Sequence, residues 1–147
     1  MMRNFILTIH IITSFVACVV TLWVLIRGLL GYFGKVKLKK RDVKLPLVAT
    51  VLLYFQLLFG TLLYIAYMIT YSRGEIGLAS NASTASRFWA VEHFILMVFT
   101  LVISHIGWIF AKSCKTPIII FKKNILYFGV VFFMILISMI SNALMHL

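Results

Sequence analysis

FWAVEHFILMVFTLVISHIGWIFA, residues 88–111, is long enough to cross the hydrocarbon core of a bilayer as a helix, which takes about 20 residues. Its only ionisable groups are Glu92, His93 and His105. Three further stretches read the same way, residues 4–32, 45–71 and 124–145. With 63% hydrophobic and 12% charged residues in a chain of 147, almost nothing is left for a soluble domain. The sequence therefore predicts an all-α chain, a single integral membrane domain over residues 1–147. Its four transmembrane helices form an up-down bundle, because backbone groups in lipid must be satisfied within each helix.

The net charge of +11 is distributed as topology rather than as a nucleic-acid surface. Lys35, Lys37, Lys39, Lys40, Arg41 and Lys44 crowd the first connection, and Lys112, Lys115, Lys122 and Lys123 crowd the third. The middle connection has only Arg73 and Arg87, with Glu75 offsetting one of them. Short basic loops stay cytoplasmic and lie beside anionic headgroups. The sequence thus predicts a multi-pass protein of the bacterial inner membrane with both termini on the outer, periplasmic side. The apolar run after Met1–Asn4 continues through Val19–Leu25 with no polar mature start, so a retained first helix is expected rather than a cleaved signal.

Within lipid, apolar residues do not reveal the buried face; small and polar ones do. His10, Thr13, Ser14, Ala17, Cys18 and Thr21 make a stripe on the first helix, and Gln56, Gly60, Tyr64, Tyr67 and Tyr71 one on the second. His93, Met97, Thr100 and Ser104 follow on the third, and Ser138, Ser141, Asn142 and His146 on the fourth. His10 and His93 each lie about two turns into a span. Those spans run in the same direction, so both imidazoles are expected at one depth. Two histidines facing each other in a bundle suit three roles: axial ligands to a haem iron, a proton-handling pair, or polar glue between helices. His105 lies about 18 Å deeper than His93 and is rotated by about 120°, so it belongs to a different level, near that expected for Gln56. Glu92 is expected to face the bundle or to be protonated, with Arg87 five residues earlier as a partner.

Several chemistries are absent from the pattern. The three carboxylates are not paired for acid–base work, and no glycine-rich phosphate loop occurs. No CxxCH motif is present, so a haem here is non-covalent. Cys18 in mid-span and Cys114 in a basic loop are too far apart to read as a disulfide. Four helices filled with large apolar residues leave no pore for a channel.

Ser86-Arg87-Phe88-Trp89-Ala90-Val91-Glu92-His93 resembles the RFF-x-VEH segment of a small four-span bacterial family, found in Bacteroidota-type genomes and labelled cytochrome b. Gln56–Gly60 with Leu63-Tyr64 is similar to that family's second helix, and Phe121-Lys122-Lys123 with Tyr127-Phe128-Gly129 to the start of its last. The family's first helix opens with an HxHSGLRW-like run; the matching stretch here, Ile9–Ser14, has His10 but lacks the second histidine and the Arg-Trp. A more distant likeness links Thr8-Ile9-His10-Ile11-Ile12 to the four-span haem-binding protoporphyrinogen oxidases and the copper-resistance D-like proteins. The lysine that follows the oxidase's third-helix histidine is replaced here by Phe94-Ile95-Leu96.

Residues and resemblance together predict one haem b near the outer leaflet, ligated by His10 and His93. Gly60 would make room for the porphyrin, and Glu92 or Arg87 would tune its propionates and potential. The expected role is electron transfer between a quinol-linked donor and a periplasmic or membrane partner. A cofactor-free accessory or assembly subunit of a larger envelope complex is the alternative, and a haem-metabolism enzyme the third reading.

Overall fold

The computed structural model describes residues 2–72 and 82–145, with side chains described at residues 3–66, 68–69 and 91–141. Four helices follow in order, α1 (Met2–Tyr32), α2 (Lys40–Ser72), α3 (Ala82–Ser113) and α4 (Pro117–Met145). Each is long and apolar enough to cross a membrane. α1 packs on α2 and α4, and α3 packs on the same two, so α1 and α3 occupy opposite corners of a four-helix square. Neighbouring helices are antiparallel: Arg27 meets Asp42 while His10 meets Gln56, and Gly107 faces Tyr127 while His93 meets Ser138. One end of the bundle therefore holds the two lysine-rich connections and is called here the basic end. The other holds the chain termini.

The surface between the ends is apolar. Phe5, Phe15, Trp23, Phe55, Phe99 and Phe133 are all exposed, as on a surface that faces lipid. The interior is built from small and medium side chains: Ala17, Leu53, Leu101, Val131 and Ile135 in one cluster, and Val24, Ala49 and Phe128 in another. Between them lie buried hydroxyls. Thr50 and Ser104 share a hydrogen bond of 2.7 Å between α2 and α3, and Thr21 donates back to the carbonyl of Ala17.

The helices are longer than the apolar stretches that announced them. The second apolar stretch begins at residue 45, yet α2 starts at Lys40 and Pro46 lies inside it. Asp42 explains the extension: its carboxylate accepts the backbone N–H of Lys39 at 2.8 Å, one half of a capping box. Proline inside a helix removes the donor to the carbonyl four residues earlier, which here is that of Asp42. Asn124 of α4 replaces that donor, its Nδ2 reaching the Asp42 carbonyl at 3.2 Å. In α4, Pro117 occupies the first turn, where its missing N–H costs little. The run Ile118–Phe121, ahead of the apolar stretch 124–145, is continuous with the final span.

At the basic end the chain turns tightly. Gly34 adopts a φ of 72°, and the bonds Lys35 N–H to Leu30 carbonyl (2.9 Å) and Gly34 N–H to Gly31 carbonyl (3.1 Å) form a Schellman cap on α1. α3 and α4 approach closely at Gly107, where an added Cβ would stand 2.6 Å from Tyr127 Cβ. A Cβ cannot rotate away, so the helix backbones must separate. Gly107→Ala is expected to destabilise the bundle by about 1–3 kcal/mol, read from its unfolding free energy in mixed detergent micelles. An unchanged value would mean that the helices part freely there.

Beside the cap, Arg27 of α1 and Asp42 of α2 form a buried bidentate pair, with Nε to Oδ1 at 2.8 Å and Nη2 to Oδ2 at 2.7 Å. Arginine's planar fork matches a carboxylate in this geometry. The pair fixes the first connection against the bundle.

Candidate functional site

Across the diagonal of the square, α1 and α3 present His10 and His93 to each other. Their ring centroids are 6.3 Å apart and the ring planes are inclined by 78°. Both are half-buried. The expected equal depth is therefore realised, because α1 and α3 are parallel and both histidines sit in the half of the bundle nearer the termini.

Each imidazole is oriented by a neighbouring helix. Ser138 of α4 lies 2.9 Å from His93 Nδ1. On the other side Gln56 of α2, buried, donates its amide hydrogens to His10 Nε2 at 3.1 Å and to Ser14 Oγ. Thr13 Oγ1 donates to Gln56 Oε1 at 2.5 Å. An Nε2 that accepts leaves the proton of a neutral ring on Nδ1. That Nδ1 is buried with no hydrogen-bond partner among the described residues. Gly60, one turn beyond Gln56, lies against the same ring, and a Cβ there would stand 3.3 Å from His10 Cε1. Tyr64 stacks on Phe94 at 5.4 Å, closing the α2–α3 side.

The spacing can be compared with that of an axial pair. Two metal–imidazole bonds of about 2 Å span about 4 Å, and the rest of the 6.3 Å is about the combined reach of two ring centres to their nitrogens. Among the described residues no cluster of three or more His, Cys, Asp or Glu side chains exists. A metal at this pair would thus have two protein ligands, the number a bis-histidine haem iron takes. Volume is a different matter. Below the pair, Ser14, Gln56, Met97 and Ser138 border a small cavity, with room for about one water. The ring-centre spacing is of the order an axial pair takes, and the cavity below it is far smaller than a porphyrin.

The remaining expectations divide. Glu92 is exposed rather than turned into the bundle, since consecutive residues on a helix cannot face the same way and His93 has the inward position. Arg87 and His146 lie outside the residues with described side chains, as do Tyr67, Tyr71 and Asn142. His105 does not approach Gln56. It pairs with Tyr54, 3.0 Å from the phenol oxygen to Nδ1, because Gln56, two residues along and about 200° around the helix, turns to α1 instead. The roles of Gln56 and Ser138 as partners of the histidines were missed, although both residues stood on the predicted inner stripes. No protein-family model, no curated protein and no solved structure matches this chain.

Proposed function

We propose that the His10–His93 pair holds the iron of one haem b and that the protein transfers electrons within a membrane. The observation that carries this reading is the 6.3 Å spacing of two imidazoles across the bundle diagonal. The resemblance of the Arg87–His93 segment to a cytochrome b-labelled family agrees with it. Bound haem would supply one-electron chemistry. The chain's own residues orient the ligands: Ser138 fixes the His93 ring, Gln56 fixes His10, and Gly60 keeps the His10 ring free of a crowding side chain. Hydrogen bonds of this kind set ligand tautomer and basicity. In this reading the basic end is cytoplasmic in a bacterial inner membrane, the histidine pair lies toward the outer leaflet, and a quinol-linked donor and a periplasmic or membrane acceptor complete the path.

A reduced-minus-oxidised visible spectrum of the purified chain from haem-replete cells tests the proposal. A b-type α band at one haem per chain is the expected result. A colourless protein would overturn it in favour of the second reading, a cofactor-free subunit of a membrane complex. The small cavity beside the histidines favours that alternative. There the pair and its Gln56 and Ser138 partners would be interhelical hydrogen bonds worth about 1 kcal/mol each.

A further inference from the structure

The two connections of the basic end carry ten lysine and arginine side chains, from Lys35 to Lys44 and from Lys112 to Lys123, and a single carboxylate. That carboxylate is Asp42, buried and already committed to Arg27. Among the described residues, none of the ten side chains has a hydrogen-bond or ion-pair partner. Lys122 and Lys123 sit furthest inside a helix. They lie five and six residues past the Pro117 that opens α4, about 7–9 Å along its axis.

Lys122 interrupts a row that otherwise meets lipid. Ile118, Lys122, Leu126, Val130 and Phe133 succeed one another at steps of four and three, which puts them on one face of α4, and all are exposed. Ile119 beside them is exposed too, whereas Ile120 and Phe121 turn into the core. Lys123 sits at the edge of this row, half-buried, its Nζ 5.0 Å from the centre of the Phe110 ring and 5.8 Å from that of Tyr127. Those two rings stack across the α3–α4 seam at 5.6 Å. They attract one side of the ammonium but carry no net charge to neutralise it.

We infer that Lys122 and Lys123, at the α3–α4 corner, bind the phosphate of a phospholipid whose head is net negative. A charge on a lipid-facing row needs a counter-charge that the bilayer itself can bring. The Cα–Cβ bonds of α4 tilt toward its N-terminus, which is the basic end, so Lys122 leans along Ile118 toward the membrane surface. A phospholipid places its phosphate at that surface while its chains continue along Leu126, Val130 and Phe133. A zwitterionic head brings a further cation to a corner already crowded with them, so a net negative head is preferred. An acidic soluble protein would have to cover Ile118, Ile119 and Leu126, an apolar row better matched by lipid. The site lies at the opposite end of the bundle from the histidine pair and does not depend on haem.

The test places the full chain in phosphatidylcholine vesicles at physiological salt. Leu126→Trp, combined with Trp23→Phe, Trp89→Phe and Trp108→Phe, sets one indole a turn from Lys122. Its quenching by brominated phosphatidylglycerol is compared with that by brominated phosphatidylcholine. A preference of about twentyfold for the acidic lipid is expected, about fourfold in Lys122→Gln and near parity in Lys122→Gln/Lys123→Gln, since each lysine at a membrane surface contributes about fivefold. Lys122→Arg/Lys123→Arg should keep the preference, and Lys122→Gln alone decides the matter should the double variant fail to fold. Lys35→Gln/Lys37→Gln removes the same charge from the other connection and should leave the preference within about twofold, because salt screens charges at that distance. Equal losses in the two double glutamine variants would mean diffuse attraction to the whole basic end and would overturn the site, as would a parent with no preference. Relief of quenching by inorganic phosphate or by polyglutamate would give the lysines to a soluble anion or an acidic polypeptide and would overturn the lipid.

Discussion

Asp42→Ala is expected to lower the unfolding free energy by about 3–5 kcal/mol, the usual cost of removing one partner from a buried ion pair. Arg27 and Asp42 are 6% and 2% exposed, so the guanidinium left behind has no ready route to water. Its stem would have to carry the head to the basic interface, and α1 and α2 would have to part to allow it. Asp42 also holds the Lys39 N–H, so the first turn of α2 loses its cap in the same substitution. The double variant Arg27→Met/Asp42→Leu separates these effects. It leaves no unpaired charge, and its loss is expected to fall well below the sum of the two single losses, because a buried pair replaced by apolar side chains of similar size is often close to neutral. Denaturation of the parent, Arg27→Met, Asp42→Leu and the double variant in mixed micelles gives the coupling. Additive losses would mean that the pair is solvated in the membrane and contributes little.

This pair was also legible in principle and was not read. Arg27 interrupts an apolar span, and a charge inside a span demands a partner; Asp42, fifteen residues on, is the nearest carboxylate. It was hidden by the six cations from Lys35 to Lys44, which read as a solvated basic loop. The number of spans and the meeting of His10 with His93 were readable because both follow from counting residues along helices of known rise. Which α2 residue meets His105 was not: Tyr54 and Gln56 lie at nearly one level but point about 200° apart, and Gln56 turns to α1 while Tyr54 turns to His105. The inward orientation expected of Glu92 failed for a simpler reason: it and His93 compete for one inward position, and burial of the imidazole decides the rotation of the helix.

His10→Ala and His93→Ala are each expected to abolish the b-type α band, and these are the largest functional effects the bundle predicts. One axial ligand alone would leave iron with an open position in a site that has no third His, Cys, Asp or Glu among the described residues. The supporting residues should behave differently. Ser138→Ala removes the hydroxyl at His93 Nδ1 but leaves the ring, and Gln56→Leu removes the amide at His10 Nε2. Each is expected to retain a band while weakening haem retention by about 10–100-fold, the range for substitutions around metal-bound histidines. Gln56→Leu has a second consequence, because Thr13 and Ser14 share that amide. It should also lower stability, by about 1–3 kcal/mol for buried polar groups left unpaired. A purely structural polar layer makes the opposite forecast. There the four variants would differ only in unfolding free energy, with Gln56→Leu the worst because it serves the most partners. The rank order of haem retention, histidines far below Gln56 and Ser138, is therefore the discriminating observation; equal haem content across the four variants would remove His10 and His93 as ligands.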